Sequence, residues 1–70
     1  MDRQSVSSSN VRSIGYDGAN STLEVEFNSG GVYQYFGVPE AVYAALMRAS
    51  SKGSYLNNHI KDRYRCQHAR

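Results

Sequence analysis

Thr22-Leu23-Glu24-Val25-Glu26-Phe27 is the stretch that decides the fold. Leu23, Val25 and Phe27 alternate with Thr22, Glu24 and Glu26, the period-2 pattern of a strand with one buried and one polar side. Ser29-Gly30-Gly31 follows and suits a three-residue hairpin loop with Gly31 in the left-handed conformation. Under that loop Phe27 shares a face with Tyr33 and Val25 with Tyr35, while Gln34 points away. Val32–Phe36 is then the next strand of an antiparallel meander. Upstream, Val11–Tyr16 reads as the preceding strand, although Val11, Ile14 and Tyr16 do not keep one parity. A bulge near Ser13 or Gly15 reconciles them, and Asp17-Gly18-Ala19-Asn20 supplies the turn.

Downstream, Val38-Pro39 ends the sheet, because proline fits the first turn of a helix. Val42, Ala45, Leu46 and Ala49 recur at helical spacing and give a short amphipathic helix of about three turns. Ser50–Ser54 interrupts it. A second helix is expected from about Ser54 to Tyr64, with Leu56, Ile60 and Tyr64 on one face. Residues 1–9 are polar and Ser-rich and read as a flexible arm, and residues 66–70 read as a frayed tail. Residues 10–65 therefore form one α+β domain: a three-stranded antiparallel meander followed by two C-terminal helices packed on one sheet face.

Charge is distributed unevenly along the 70 residues. Residues 1–40 hold two basic and five acidic side chains, and residues 41–70 hold six basic and one acidic. The overall +2 thus conceals a dipolar molecule whose C-terminal part attracts anions. A chain of this size buries only about 60% of its unfolded surface, so its stability is small. No run approaches 18 apolar residues, so neither a membrane span nor a membrane partner is expected. The opening MDRQSVSSSN has no apolar core, so no secretory leader is expected. Cys66 is the single cysteine. A small fold without disulfides fits a reducing, cytoplasmic setting.

The ordered blocks resemble a known family. Ser8-Ser9-Asn10-Val11, Ile14-Gly15-Tyr16-Asp17, Leu23–Phe27 and Tyr33-Gln34-Tyr35 followed by Val38-Pro39 are similar to the KTSC domain. So is Ser51-Lys52-Gly53-Ser54-Tyr55, with Asn57, Ile60, Lys61 and Tyr64 behind it. The likeness runs over roughly residues 3–65, nearly the whole chain. That family takes its name from the C-terminal domain of some lysyl-tRNA synthetases and also occurs as free-standing small proteins in bacteria and their phages. The resemblance implies a stand-alone module proposed to bind RNA.

Three groups of residues are candidate sites. Tyr33 and Tyr35 are able to stack bases from a sheet surface. Their register, however, places both rings under the helices as core, and leaves Val32 and Phe36 as exposed apolar residues on the other face. Ser51-Lys52-Gly53-Ser54 joins a glycine-containing turn to a helix N-terminus, with free N–H groups, a lysine and two hydroxyls, which are the ingredients of a phosphate site. The plainer reading is an inter-helix turn, with Gly53 ending one helix and Ser54 capping the next. Lys61 and Arg65 stand four apart on the expected helix, beside Asn57 and Asn58. With Lys52, Arg63 and a peripheral Arg48 they form a face able to follow a phosphodiester backbone. The alternative is a solvated basic face.

Other chemistry is not supported. His59, Cys66 and His68 are too few and too loosely spaced for a structural zinc site, so no metal or cofactor is expected. Cys66 and the serines lack a positioned base. Glu24 and Glu26 read as the polar side of a strand rather than an acid–base pair. An enzyme is thus not expected. The leading expectation is a weak, salt-sensitive nucleic-acid-binding module, RNA before DNA. The alternatives are a protein-interaction or self-associating module, whose acidic and basic ends pair, and a small-nucleotide or anion sensor at Ser51–Ser54.

Overall fold

The computed structural model describes residues 2–8 and 10–69; Met1 and Ser9 of the expected arm and Arg70 of the expected tail lie outside the described residues. The chain forms β1 (Arg3–Ser5), β2 (Val11–Asp17), β3 (Thr22–Phe27), β4 (Val32–Phe36), α1 (Glu40–Arg48), α2 (Lys52–His59) and β5 (Arg65–His68). The strands lie in sequence order in a single antiparallel sheet. This is the expected α+β architecture, with five strands instead of three. Arg3–Ser5 of the expected arm pair with Ser13–Gly15. Arg65–His68, expected as helix end and tail, pair with Tyr33–Phe36. Both additions are polar edge strands. Neither has a hydrophobic alternation of its own, so the neighbouring strand's unpaired N–H and C=O groups define them. No helix among the described residues is long and apolar enough to cross a membrane.

The β3–β4 hairpin keeps its expected facing but not its expected pairing. Val25 lies opposite Tyr33 and Leu23 opposite Tyr35. The loop is one residue earlier than expected, and the positive φ of 101° falls on Gly30, not Gly31. That slip changes the pairing by an even number of residues, so every side chain stays on its expected face. The β2 bulge lies between Val11 and Ser13 and returns Val11, Ile14 and Tyr16 to one side.

That side is the core. Ile14, Leu23, Val25 and Tyr35 pack against Val38, Leu46 of α1, Leu56 of α2 and Ile60. Pro39 precedes α1 rather than entering it, and its carbonyl oxygen accepts from the N–H groups of Val42 and Tyr43. The Tyr16 hydroxyl donates to the Val38 carbonyl oxygen at 2.6 Å, and its ring stacks on Tyr43 at 4.7 Å. These contacts fix where the chain leaves the sheet and enters the helices. Helix α2 stops four to five residues earlier than expected. The N–H groups of Ile60 and Lys61 both bond to the Leu56 carbonyl oxygen, which closes the helix, and residues 61–63 turn toward β5.

The opposite side of the sheet is polar and tightly paired. Glu24 is only 8% exposed there. Its carboxylate accepts from the Arg3 guanidinium and from Gln34 Nε2 at 2.9 Å. Arg3 Nε donates to Ser13 Oγ at 3.0 Å, and Ser13 Oγ donates to Glu26 Oε1 at 2.9 Å. Arg3 and Arg12 also approach Glu26, each at 3.7 Å. Gly15 makes room for this, since a Cβ there would stand 2.7 Å from the Asp2 carbonyl oxygen. Val32 is buried and Phe36 half-buried, so neither is the exposed apolar residue expected of this face.

Burial pushes the Glu24 carboxyl up, but the hydrogen bonds from Gln34 and Arg3, with the Arg3 charge, outweigh it and leave it below its ordinary 4.5. A carboxyl lowered in the folded state stabilises the fold above its unfolded value, and that contribution disappears as acidification passes the folded value. Urea unfolding from neutral pH down through the glutamate range should show this loss. Arg3→Ala should cost about 2 kcal/mol at neutral pH and flatten the acid limb. An unchanged acid limb would mean that Arg3 does not hold Glu24.

Candidate functional site

On the core side, the sheet and the first turn of α2 do not close completely. A groove of about 900 Å³ lies between them. Its floor is Phe27, Tyr33, Tyr35 and Leu56. One rim carries Asn10, Asn28 and Ser29 from the strand ends; the other carries Ser51, Gly53, Ser54 and Asn57, continuing to Lys61 and Asp62, with Cys66 at the β5 side. The expected stacking pair and most of the Ser51–Ser54 turn therefore meet in one place.

The turn is built differently from either sequence reading. Ser51, not Ser54, caps α2, and its hydroxyl accepts from the Ser54 N–H at 3.3 Å. Gly53 lies inside the first turn of α2 instead of ending α1. A Cβ on Gly53 would fall 2.1 Å from Asn10 Oδ1, so the Asn10 amide occupies the space that glycine leaves. Lys52 turns away, and its Nζ donates to the Ala49 carbonyl oxygen at 2.8 Å. It thereby satisfies a carbonyl just past the end of α1 and does not line the groove. The cation at the groove is Lys61, which follows α2.

The two tyrosines have separate roles. Tyr33 is half-buried; His68 stacks on its ring at 4.5 Å and Phe27 meets it edge-on at 5.7 Å. One face of the Tyr33 ring is already covered, so the pair is not an open stacking platform. Tyr35 is 4% exposed and belongs to the core. Burial, then the neighbouring Cys66 and Tyr33, push its phenol up to about 12, so it is a hydrogen-bond donor at any physiological pH.

The remaining basic candidates separate. Because α2 ends at His59, Lys61 and Arg65 do not share a helix face. Arg65 lies on β5 opposite Phe36, on the polar side of the sheet. Arg48 is in the last turn of α1, away from the groove. Asn58 and Arg63 border a smaller depression of about 240 Å³ that shares only Asn57 and Asp62 with the groove. Sequence reasoning missed Asn10, Asn28 and Cys66, which reach the groove only through strand pairing and loop placement. Gly53 was the one available signal for Asn10, since a glycine inside a helix marks a close approach. Among the described residues, no three His, Cys, Asp or Glu side chains are placed to hold a metal ion.

An antiparallel meander backed by two short helices, with a groove at their junction, defines a small α+β domain class, and comparison with known proteins gives its family. The KTSC domain profile matches residues 7–64, and the chain belongs to that family. It is 46% identical to a KTSC domain protein of Yersinia pestis whose crystal structure superposes with a TM-score of 0.93 over 96% of this chain and 94% of that one. It is 44% identical over 64 residues to an uncharacterized protein of Stutzerimonas stutzeri, covering 91% of this chain and 90% of the relative. It is also 40% identical over 55 residues to a lysine–tRNA ligase of Nostoc punctiforme, covering 79% of this chain but 10% of the ligase.

The contact of Asn10 with Gly53 gives a test of the site's construction. Gly53→Ala should displace the Asn10 amide from the rim, visible as a moved Asn10 side-chain NH₂ resonance. It should gain little stability alone. In an Asn10→Ala background the same change should gain about 0.5–1 kcal/mol, the helix preference of alanine over glycine. An equal gain in both backgrounds would show that the two residues do not touch.

Proposed function

We propose that this domain is a binding module that holds a short single-stranded RNA segment in the groove between the sheet and α2. The observation that carries the reading is the meeting of Ser51, Ser54, Asn57 and Lys61 above the floor of Tyr33 and Tyr35. A groove of this volume has room for one or two nucleotides. Ser and Asn side chains offer donors and acceptors together, and Lys61 offers a charge to phosphate. The N-terminus of α2 adds the positive end of its dipole. Arg48, Arg63 and Arg65 act as a distant positive field and not as contacts. A related segment in a lysine–tRNA ligase supports RNA over DNA, because that protein's name places it with tRNA.

The self-association alternative keeps the sheet edges at β1 and β5 but has less support elsewhere. Glu24 and Glu26 are ion-paired within the chain, so they are poorly available to a basic face of another copy. Val32 is buried. The anion-sensor alternative would now use Lys61, because Lys52 is engaged with Ala49.

Titration of labelled protein with a short mixed-sequence RNA, followed by amide NMR at two salt concentrations, tests the proposal. Shifts are expected at Ser51–Ser54, Asn57 and Lys61. With about two phosphates engaged, the affinity should fall with a log–log salt slope near about −1.4. Lys61→Ala should weaken binding several-fold. Undiminished binding by Lys61→Ala, or shifts confined to the polar side of the sheet, would exclude the groove.

A further inference from the structure

One hydroxyl reaches the groove from a ring that is otherwise buried in the core. Tyr35 is 4% exposed, yet it lines the groove, and its hydroxyl makes no hydrogen bond to any described residue. Tyr16 provides the contrast within the same sheet, because its hydroxyl is committed to the Val38 carbonyl oxygen. No buried side-chain oxygen or nitrogen among the described residues lacks a partner, so this hydroxyl opens to the groove, where solvent meets it until a ligand replaces the water. The hydroxyl is therefore available to an acceptor carried by the ligand.

The surroundings narrow what that ligand is. Phe27, Tyr33 and Leu56 make the floor apolar and largely aromatic, which suits a flat ring. Lys61 and the N-terminus of α2 lie at the rim, which suits an anion. A ring bearing acceptors on its edge, joined to a phosphate, is a nucleotide. We infer that the groove takes one unpaired nucleotide base-first, with its phosphate toward Lys61 and the Tyr35 hydroxyl donating to an acceptor on the base edge. This rests on the RNA reading above and adds the orientation of the nucleotide and the residue that reads its base. Tyr35 is then a recognition residue, not only a core ring.

Uridine 5′-monophosphate and ribose 5-phosphate separate the base from the phosphate. Calorimetric or NMR titration of the parent should show the nucleotide binding at least about tenfold more tightly than the sugar phosphate. Tyr35→Phe should weaken nucleotide binding about tenfold, leave ribose 5-phosphate unchanged, and melt no lower than the parent. Tyr43→Phe, outside the groove, should leave both ligands nearly unchanged. In the ring-labelled parent, the Tyr35 Cζ resonance should move with the nucleotide and not with the sugar phosphate, a readout independent of how any variant folds. Equal nucleotide binding by Tyr35→Phe and parent, with a stationary Cζ resonance, overturns the inference. Equal affinity for the two ligands overturns it as well. If the parent still binds RNA in either case, the RNA reading stands without it. If the parent binds neither RNA nor nucleotide, both fall.

Discussion

Glu24 is the constraint on which the structure depends. It stands in the middle of β3 between Leu23 and Val25, which are fully buried against the helices. Strand geometry sends its carboxylate to the opposite side, where it is nearly as buried. A charge in that position must be paired. Arg3 and Gln34 do so from the two sides of β3, through strands that are not neighbours of one another. The N-terminal segment is thereby drawn onto the sheet as β1. Gly15 lets the backbone of Asp2 and the stem of Arg3 come close enough. The polar side is thus a fastened layer, and the groove lies on the helix side.

There, helix placement makes the groove. Tyr16 ties the start of the helical segment to β2 through Val38, and Lys52 closes the junction between α1 and α2 through Ala49. Asn10 reaches across to Gly53, so the start of β2 and the first turn of α2 share one rim. Leu56 and Ile60 then hold α2 against the sheet at its far end. The groove is what remains between these fixed points. It combines an aromatic floor, a polar rim and one lysine, the features on which the proposed nucleotide reading rests.

The parts that could be read in the sequence are those carrying their own periodicity. Leu23, Val25 and Phe27 announced β3, and the facing of Tyr33, Gln34 and Tyr35 followed from it even though the pairing moved by two residues. Leu46 and Leu56 were legible as helix core. Arg3–Ser5 and Arg65–His68 were not, because both are polar and become strands only by completing a neighbour's hydrogen bonds. The same cause dispersed the expected basic face. Nothing between Ile60 and Arg65 breaks a helix in composition, yet the bond from the Lys61 N–H to the Leu56 carbonyl oxygen ends it and sends Arg65 to the opposite side of the sheet. Ser51, Gly53, Ser54, Asn57 and Lys61 were singled out from sequence and border the groove. Asn10, Asn28 and Cys66 required the fold.

Intermolecular Overhauser contacts between bound RNA and the protein's side chains probe the location of the ligand most directly. RNA seated in the groove gives contacts from base and ribose protons to the Leu56 methyls and to the Tyr35 and Phe27 rings. Contacts confined to Arg65 and Gln67, which face the polar side of the sheet opposite Phe36 and Gln34, would contradict it and move the site there.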